Sequence, residues 1–128
     1  MKLPTISQKY PKLVLRVVMG VIFITHGIAR LIYASVADFG SYLNSQGFII
    51  GVFLAWLITF GEIIFGTLLA TGNKVRYAII FHAIVVIMGI FLIHFPNGWF
   101  VVGHGSGGVE YSLLILAVLL LLYSSESD

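Results

Sequence analysis

Apolar residues fall along this chain in four long runs, not in the narrow stripes of water-soluble helices. The runs extend from Leu13 to Tyr33, Phe48 to Ala70, Val75 to Phe95 and Val109 to Tyr123, the last being the shortest. Each approaches the roughly 20 residues with which a helix crosses the hydrocarbon of a bilayer. The pattern predicts an all-α integral membrane four-helix bundle in one domain, running up-down-up-down because the connections are short. The first connection, "ASVADFGSYLNSQG", mixes apolar and polar residues and predicts a short interfacial helix that closes at Gly47. "TGNK" predicts a tight turn between the second and third spans. "PNGWFVVGHGSGG" is a glycine-rich loop that sets Trp99 and Phe100 at headgroup level.

Polar residues within the spans recur at helical spacing. In the first span Arg16, Gly20, Phe23, Gly27 and Arg30 share one stripe, with His26 beside it. Ala55, Thr59, Glu62 and Gly66 repeat the spacing in the second span, and Ala78, His82, Val85 and Gly89 in the third. Small residues on a stripe let membrane helices approach closely. Each stripe carries an ionisable residue, so these residues are expected to face the bundle interior. An arginine or glutamate at the bilayer centre costs about 2.5–3.5 kcal/mol on insertion scales, which favours pairing or contact with water.

Composition agrees with lipid as the solvent. Of 128 residues, 59% are hydrophobic and 9% charged, where a soluble domain carries roughly a quarter charged. The formal charge of +2 and the absence of a basic, aromatic-interleaved stripe exclude a nucleic-acid binder. Without cysteine the chain has no disulfide relay, thiolate metal site or cysteine nucleophile. A signal peptide cleaved after Ala37 is a rival reading of the first run, set aside because His26 and Arg30 interrupt it. Lys2, Lys9, Lys12 and Arg16 precede or open the first span, and Lys74 and Arg76 flank the second turn. The positive-inside rule therefore predicts both termini in the cytoplasm. Arg16 and Arg76 are expected to snorkel to the inner headgroups.

Depth sorts the ionisable groups. With ~1.5 Å of rise per residue, Glu62 and His82 lie roughly 13 and 12 Å from the inner ends of their helices and form one expected pair. His26, Arg30, His94 and Glu110 form an outer cluster, in which Arg30 with Glu110 is the first choice of ion pair. Glu62 has no opposite charge near it in sequence; protonation, His82 or an arginine of the first span are its alternatives. Haem held between His26 and His82 is disfavoured by a depth offset of roughly 9 Å. No metal site is expected. "GSGGVE" lacks the lysine and spacing of a phosphate loop and reads as a turn into the last helix.

Three segments carry a family resemblance. "LRVVMGVIFITHGIARL" resembles the first helix of the DoxX family, "GEIIFGTLLATG" its second, and "GGVEYSLLILAVLLLL" is similar to the start of its last. The resemblance implies a four-helix inner-membrane protein of the plasma membrane of a bacterial-type cell. It also implies a link to thiosulfate:quinone oxidoreductase membrane subunits, oxidative-stress defence and the detoxification of catechols and quinones. The family's shared polar positions fall on His26, Arg30, Glu62 and Glu110, and Arg30 stands where lysine is common. An arginine keeps its proton, so it orients an acceptor and does not shuttle.

The expectation is thus a redox-associated membrane component that binds a quinone or similar small apolar ligand. Arg30 or His26 would hydrogen-bond a carbonyl, and Glu62 and His82 would pass protons, with electrons supplied by a partner oxidoreductase subunit or a soluble donor. Glu110 completes the ligand-facing set. The rival is a non-catalytic subunit or scaffold whose polar residues fix register and recruit a partner. A homo-oligomer is left open.

Overall fold

The computed structural model describes residues 1–126, and among them every regular element is helical. The long helix α1 spans Lys9–Ile32, the short α2 Val36–Ser45, α3 Gly51–Thr71, α4 Val75–Gly89 and α5 Glu110–Ser125. The chain continues α4 through one π-helical turn, Ile90–His94, and a 3₁₀ turn, Phe95–Asn97. Three of these segments, Lys9–Ile32, Gly51–Thr71 and Val75–Asn97, are long and apolar enough to cross a membrane. The fourth, α5, has 16 residues and rises only about 24 Å.

Local chemistry ends the elements where the pattern changes. Pro11 sits in the first turn of α1, where its missing N–H costs nothing. At the other end Ala34 takes φ +51° and the Ser35 amide donates to Arg30 O at 2.9 Å, turning the chain into α2. The short helix expected between the first two runs forms as α2, with Gly47 left-handed just past its end. Asn44, on its last turn, accepts from the Gly51 amide at 2.8 Å and so caps α3. Gly72 closes α3 at φ +81°, with the Asn73 amide donating back to Leu68 O at 2.9 Å.

The helices close a ring in which α1 packs most extensively on α3, α3 on α4, α4 on α5, and α1 least on α5. The α1–α3 crossing is set by glycines. A Cβ on Gly27 would lie 2.7 Å from Thr59 O, and one on Gly20 would lie 2.7 Å from Gly66 O. Only hydrogen at these positions allows the backbones so near.

Two apolar clusters result. The larger fills the half of the bundle that holds the start of α1 and the end of α5, around Met19, Phe23, Leu69, Ile79, Leu119 and Leu122. A smaller one, around Val36, Leu43 and Ala55, seats α2 on α3. The end of the bundle that holds the start of α1 and the end of α5 is fastened by arginines. Arg16 reaches Glu126 at 3.6 Å, and Arg76 donates to the Tyr123 and Glu126 carbonyls with its guanidinium over the Tyr123 ring. A cation at the end of α5 satisfies carbonyls that the helix leaves open.

Candidate functional site

Glu62 is buried on the face of α3 that meets α1, in the same stripe as Ala55, Thr59 and Gly66, all buried. Its carboxylate accepts two hydrogen bonds from the Arg30 guanidinium, at 2.9 Å to Oε2 and 3.3 Å to Oε1. The fork geometry suits arginine, whose planar N–H groups match a carboxylate. Helical side chains lean toward their own N-terminus, so Arg30 reaches inward along α1 while Glu62 on the antiparallel α3 reaches outward. On the far side the Arg30 guanidinium lies 4.8 Å from the Phe39 ring centroid, so α2 covers the pair from outside.

Two expected pairings are thereby corrected. Arg30 does not pair with Glu110. Glu110 opens α5, its Oε1 accepts from the Val101 amide at 2.8 Å, and its own amide donates to Trp99 O at 3.0 Å. It ties the 98–109 loop to α5 and is not among the residues lining the cavity described below. Nor does Glu62 pair with His82. The His82 ring is fully buried and lies flat on Phe23, centroids 3.7 Å apart and planes 5° from parallel, with Phe81 at its edge. Neither ring nitrogen makes a hydrogen bond.

Above the packed inner half the helices diverge around a cavity of about 350 Å³. Phe23 forms its floor and the Arg30–Glu62 pair part of its wall, while Phe39, Tyr42 and Leu43 of α2 roof it. Val86, Met88 and Gly89 of α4 and Ser112 and Ile115 of α5 complete a lining that is mostly apolar. The exposed members of that lining are His26 on α1, Ile93 on the π turn and Tyr111 on α5. They mark a mouth on the side where α1 and α5 touch least.

The π turn on this wall has a cause in the sequence. In a continuous α-helix the Leu92 carbonyl would accept from residue 96, which is proline and has no N–H. The Tyr42 hydroxyl donates to Leu92 O instead, at 2.7 Å, joining the roof to α4. Asn97 Nδ2 similarly serves Ile93 O at 2.8 Å. His94, which the sequence groups with His26 and Arg30, lines the cavity and contacts Gly107 O through Nδ1 at 2.7 Å.

The polar stripes therefore bring His26, Arg30 and Glu62 to one hollow, leave His82 one layer behind it and keep Glu110 outside. His94 of the expected outer cluster joins the lining, as do Tyr42 and Ser112, which had not been singled out; the Phe95-Pro96 pair was the signal for the π turn. No group of three or more histidine, aspartate or glutamate side chains is arranged to hold a metal among the described residues.

A helical bundle with membrane-crossing apolar helices and a polar pair facing an internal hollow defines a membrane protein with a ligand-sized interior site. The DoxX family model matches residues 12–95, most of the chain, and the protein belongs to the DoxX family. The matched segment runs from the first turn of α1 through the π turn and holds both members of the ion pair, while α5 lies beyond it. No curated protein and no solved structure matches the chain.

Proposed function

We propose that the cavity receives the head of a quinone-like molecule from the bilayer, and that the protein is a redox-associated component of a bacterial-type plasma membrane. The observation that carries this reading is the 350 Å³ hollow with a doubly hydrogen-bonded arginine in a mostly apolar wall. That volume lies at the small end of ligand sites. It suits one substituted ring, with any chain leaving by the mouth.

Arg30 is the donor for a ligand oxygen. Two of its five N–H groups face Glu62, and the pairing fixes the plane of the others. Glu62 is the carboxylate nearest such a ligand, and His82, behind Phe23, is the next titratable group inward. Reduction of a quinone takes two electrons and two protons. Glu62 and His82 would serve the protons, and the electrons would come from a partner subunit or a soluble donor. In this reading α5 is a fourth crossing and both termini are cytoplasmic, as the grouping of Lys9, Lys12, Lys74 and Arg76 favours.

The scaffold reading draws on one observation, that Arg30 and Glu62 satisfy each other without a ligand. A non-disruptive filling of the hollow separates the two. Ser112, buried on α5 and lining the cavity, is replaced by phenylalanine, and protein purified in mild detergent is extracted for quinones by mass spectrometry. The expected result is near-stoichiometric quinone with the parent protein and little with Ser112→Phe. Absence of quinone from both, in a folded protein that pulls down a partner subunit equally well either way, overturns the reading in favour of the scaffold.

A further inference from the structure

Two histidines line the cavity, and both have committed the same ring nitrogen to the backbone. His26 Nδ1 lies 2.8 Å from Ile22 O, and His94 Nδ1 lies 2.7 Å from Gly107 O. A carbonyl oxygen can only accept, so in each ring Nδ1 must carry the hydrogen. In the neutral imidazole that leaves Nε2 with a lone pair and no proton. The Nε2 edge of His94 lies over Gly89, another lining residue: a Cβ there would stand 4.0 Å from Nε2. Since Gly89 has no side chain, none covers this acceptor from that position. His26, an exposed residue of the lining, spends its Nδ1 on its own helix and likewise leaves Nε2 uncommitted.

The wall thus offers one strong donor, Arg30, and two imidazole acceptors. We infer that His26 and His94 make the site selective for the dihydroxy form of its ligand, a hydroquinone, over the corresponding dione. This rests on the preceding reading of the cavity as a quinone-type site. A phenolic oxygen accepts from Arg30 and its hydrogen donates to an imidazole, so the reduced ring answers all three groups. A dione brings only acceptors. It satisfies Arg30 but sets carbonyl lone pairs against those of Nε2 and leaves the imidazoles without partners. His26 therefore holds a ligand hydroxyl and is not the carbonyl donor that its position in the sequence suggests.

Binding of three probes to the protein in lipid nanodiscs, under anaerobic conditions, tests this. The probes are a decyl-substituted benzoquinone, its hydroquinone, and the dimethyl ether of that hydroquinone, which keeps the shape but has no O–H. The hydroquinone is expected to bind at least tenfold more tightly than either of the others, which corresponds to about 1.4 kcal/mol. His26→Phe, at an exposed position, is expected to reduce the preference while the fold is retained by circular dichroism. His94→Phe is expected to do the same, and because it also loosens the loop its ratio of affinities is the readout, not the affinity itself. Equal binding of hydroquinone and dione overturns the inference and leaves the quinone site standing. Failure of all three probes to bind overturns both. A full preference retained in both variants removes the histidines from the selection.

Discussion

Replacing one partner of the Arg30–Glu62 pair leaves the other as a charge inside a low-dielectric bundle. Only 6% of the Glu62 side chain and 21% of the Arg30 side chain are accessible. Two unit charges ~4 Å apart attract by about 4 kcal/mol at an effective dielectric near 20, and breaking a buried pair from one side costs about 3–5 kcal/mol. The two sides are not equivalent. After Glu62→Gln the amide oxygen still accepts one N–H, and Arg30 is exposed enough to swing toward headgroups, so the loss is expected near the lower figure. After Arg30→Met the carboxylate is stranded at a deeper position and the loss is expected near the upper one. Arg30→Met combined with Glu62→Leu removes both charges and is expected to lie within about 1 kcal/mol of the parent or above it. Unfolding by dodecyl sulfate, followed by far-ultraviolet circular dichroism in mixed micelles, measures all four proteins. Single losses below about 0.5 kcal/mol, or a double variant whose loss equals the sum of the singles, would refute the reasoning.

Two further outcomes follow from the packing. Gly27→Val places side-chain atoms against Thr59 O at the α1–α3 crossing and is expected to cost about 1–3 kcal/mol. Spreading the helices also parts Arg30 from Glu62, so in the Gly27→Val background the added cost of Glu62→Gln should shrink in the same unfolding assay. Glu110→Ala removes the acceptor for the Val101 amide and is expected to raise proteolysis and hydrogen exchange within residues 98–109. Quinone recovered from the purified protein should stay unchanged, the reverse of what a ligand-facing Glu110 would give.

Three long spans were legible because an apolar run of about 20 residues has little use outside a bilayer, and the stripes with Gly20, Gly27 and Gly66 marked faces for close approach without naming which helices meet there. The pairing was less legible. Depth counted along the backbone puts Arg30 level with Glu110, but a side chain of this length projects by more than a helical turn. Arg30 leans inward and Glu62 outward, so the charges meet between their Cα levels. His82 carried a polar label in the sequence, yet its position is decided by its flat ring face against Phe23. The turn after α1 had no glycine to announce it, since Ala34 takes the left-handed conformation itself. The hollow could not be read at all, because it arises from how α1 and α5 separate in space and from a π turn whose rescue by Tyr42 joins residues 50 positions apart.

The dry plug beneath Phe23 makes the hollow a dead end, an alcove and not a passage. On the proposed reading, whatever lodges there arrives and departs through the same side door and is drawn from the hydrocarbon, where greasy molecules accumulate far above their aqueous levels. The concentration that governs occupancy is then the one dissolved in lipid. For a guest held at millimolar density in the bilayer, half-filling needs only a millimolar dissociation constant, about −4.1 kcal/mol. A recess this small can stay populated on a handful of contacts and still let its guest go quickly.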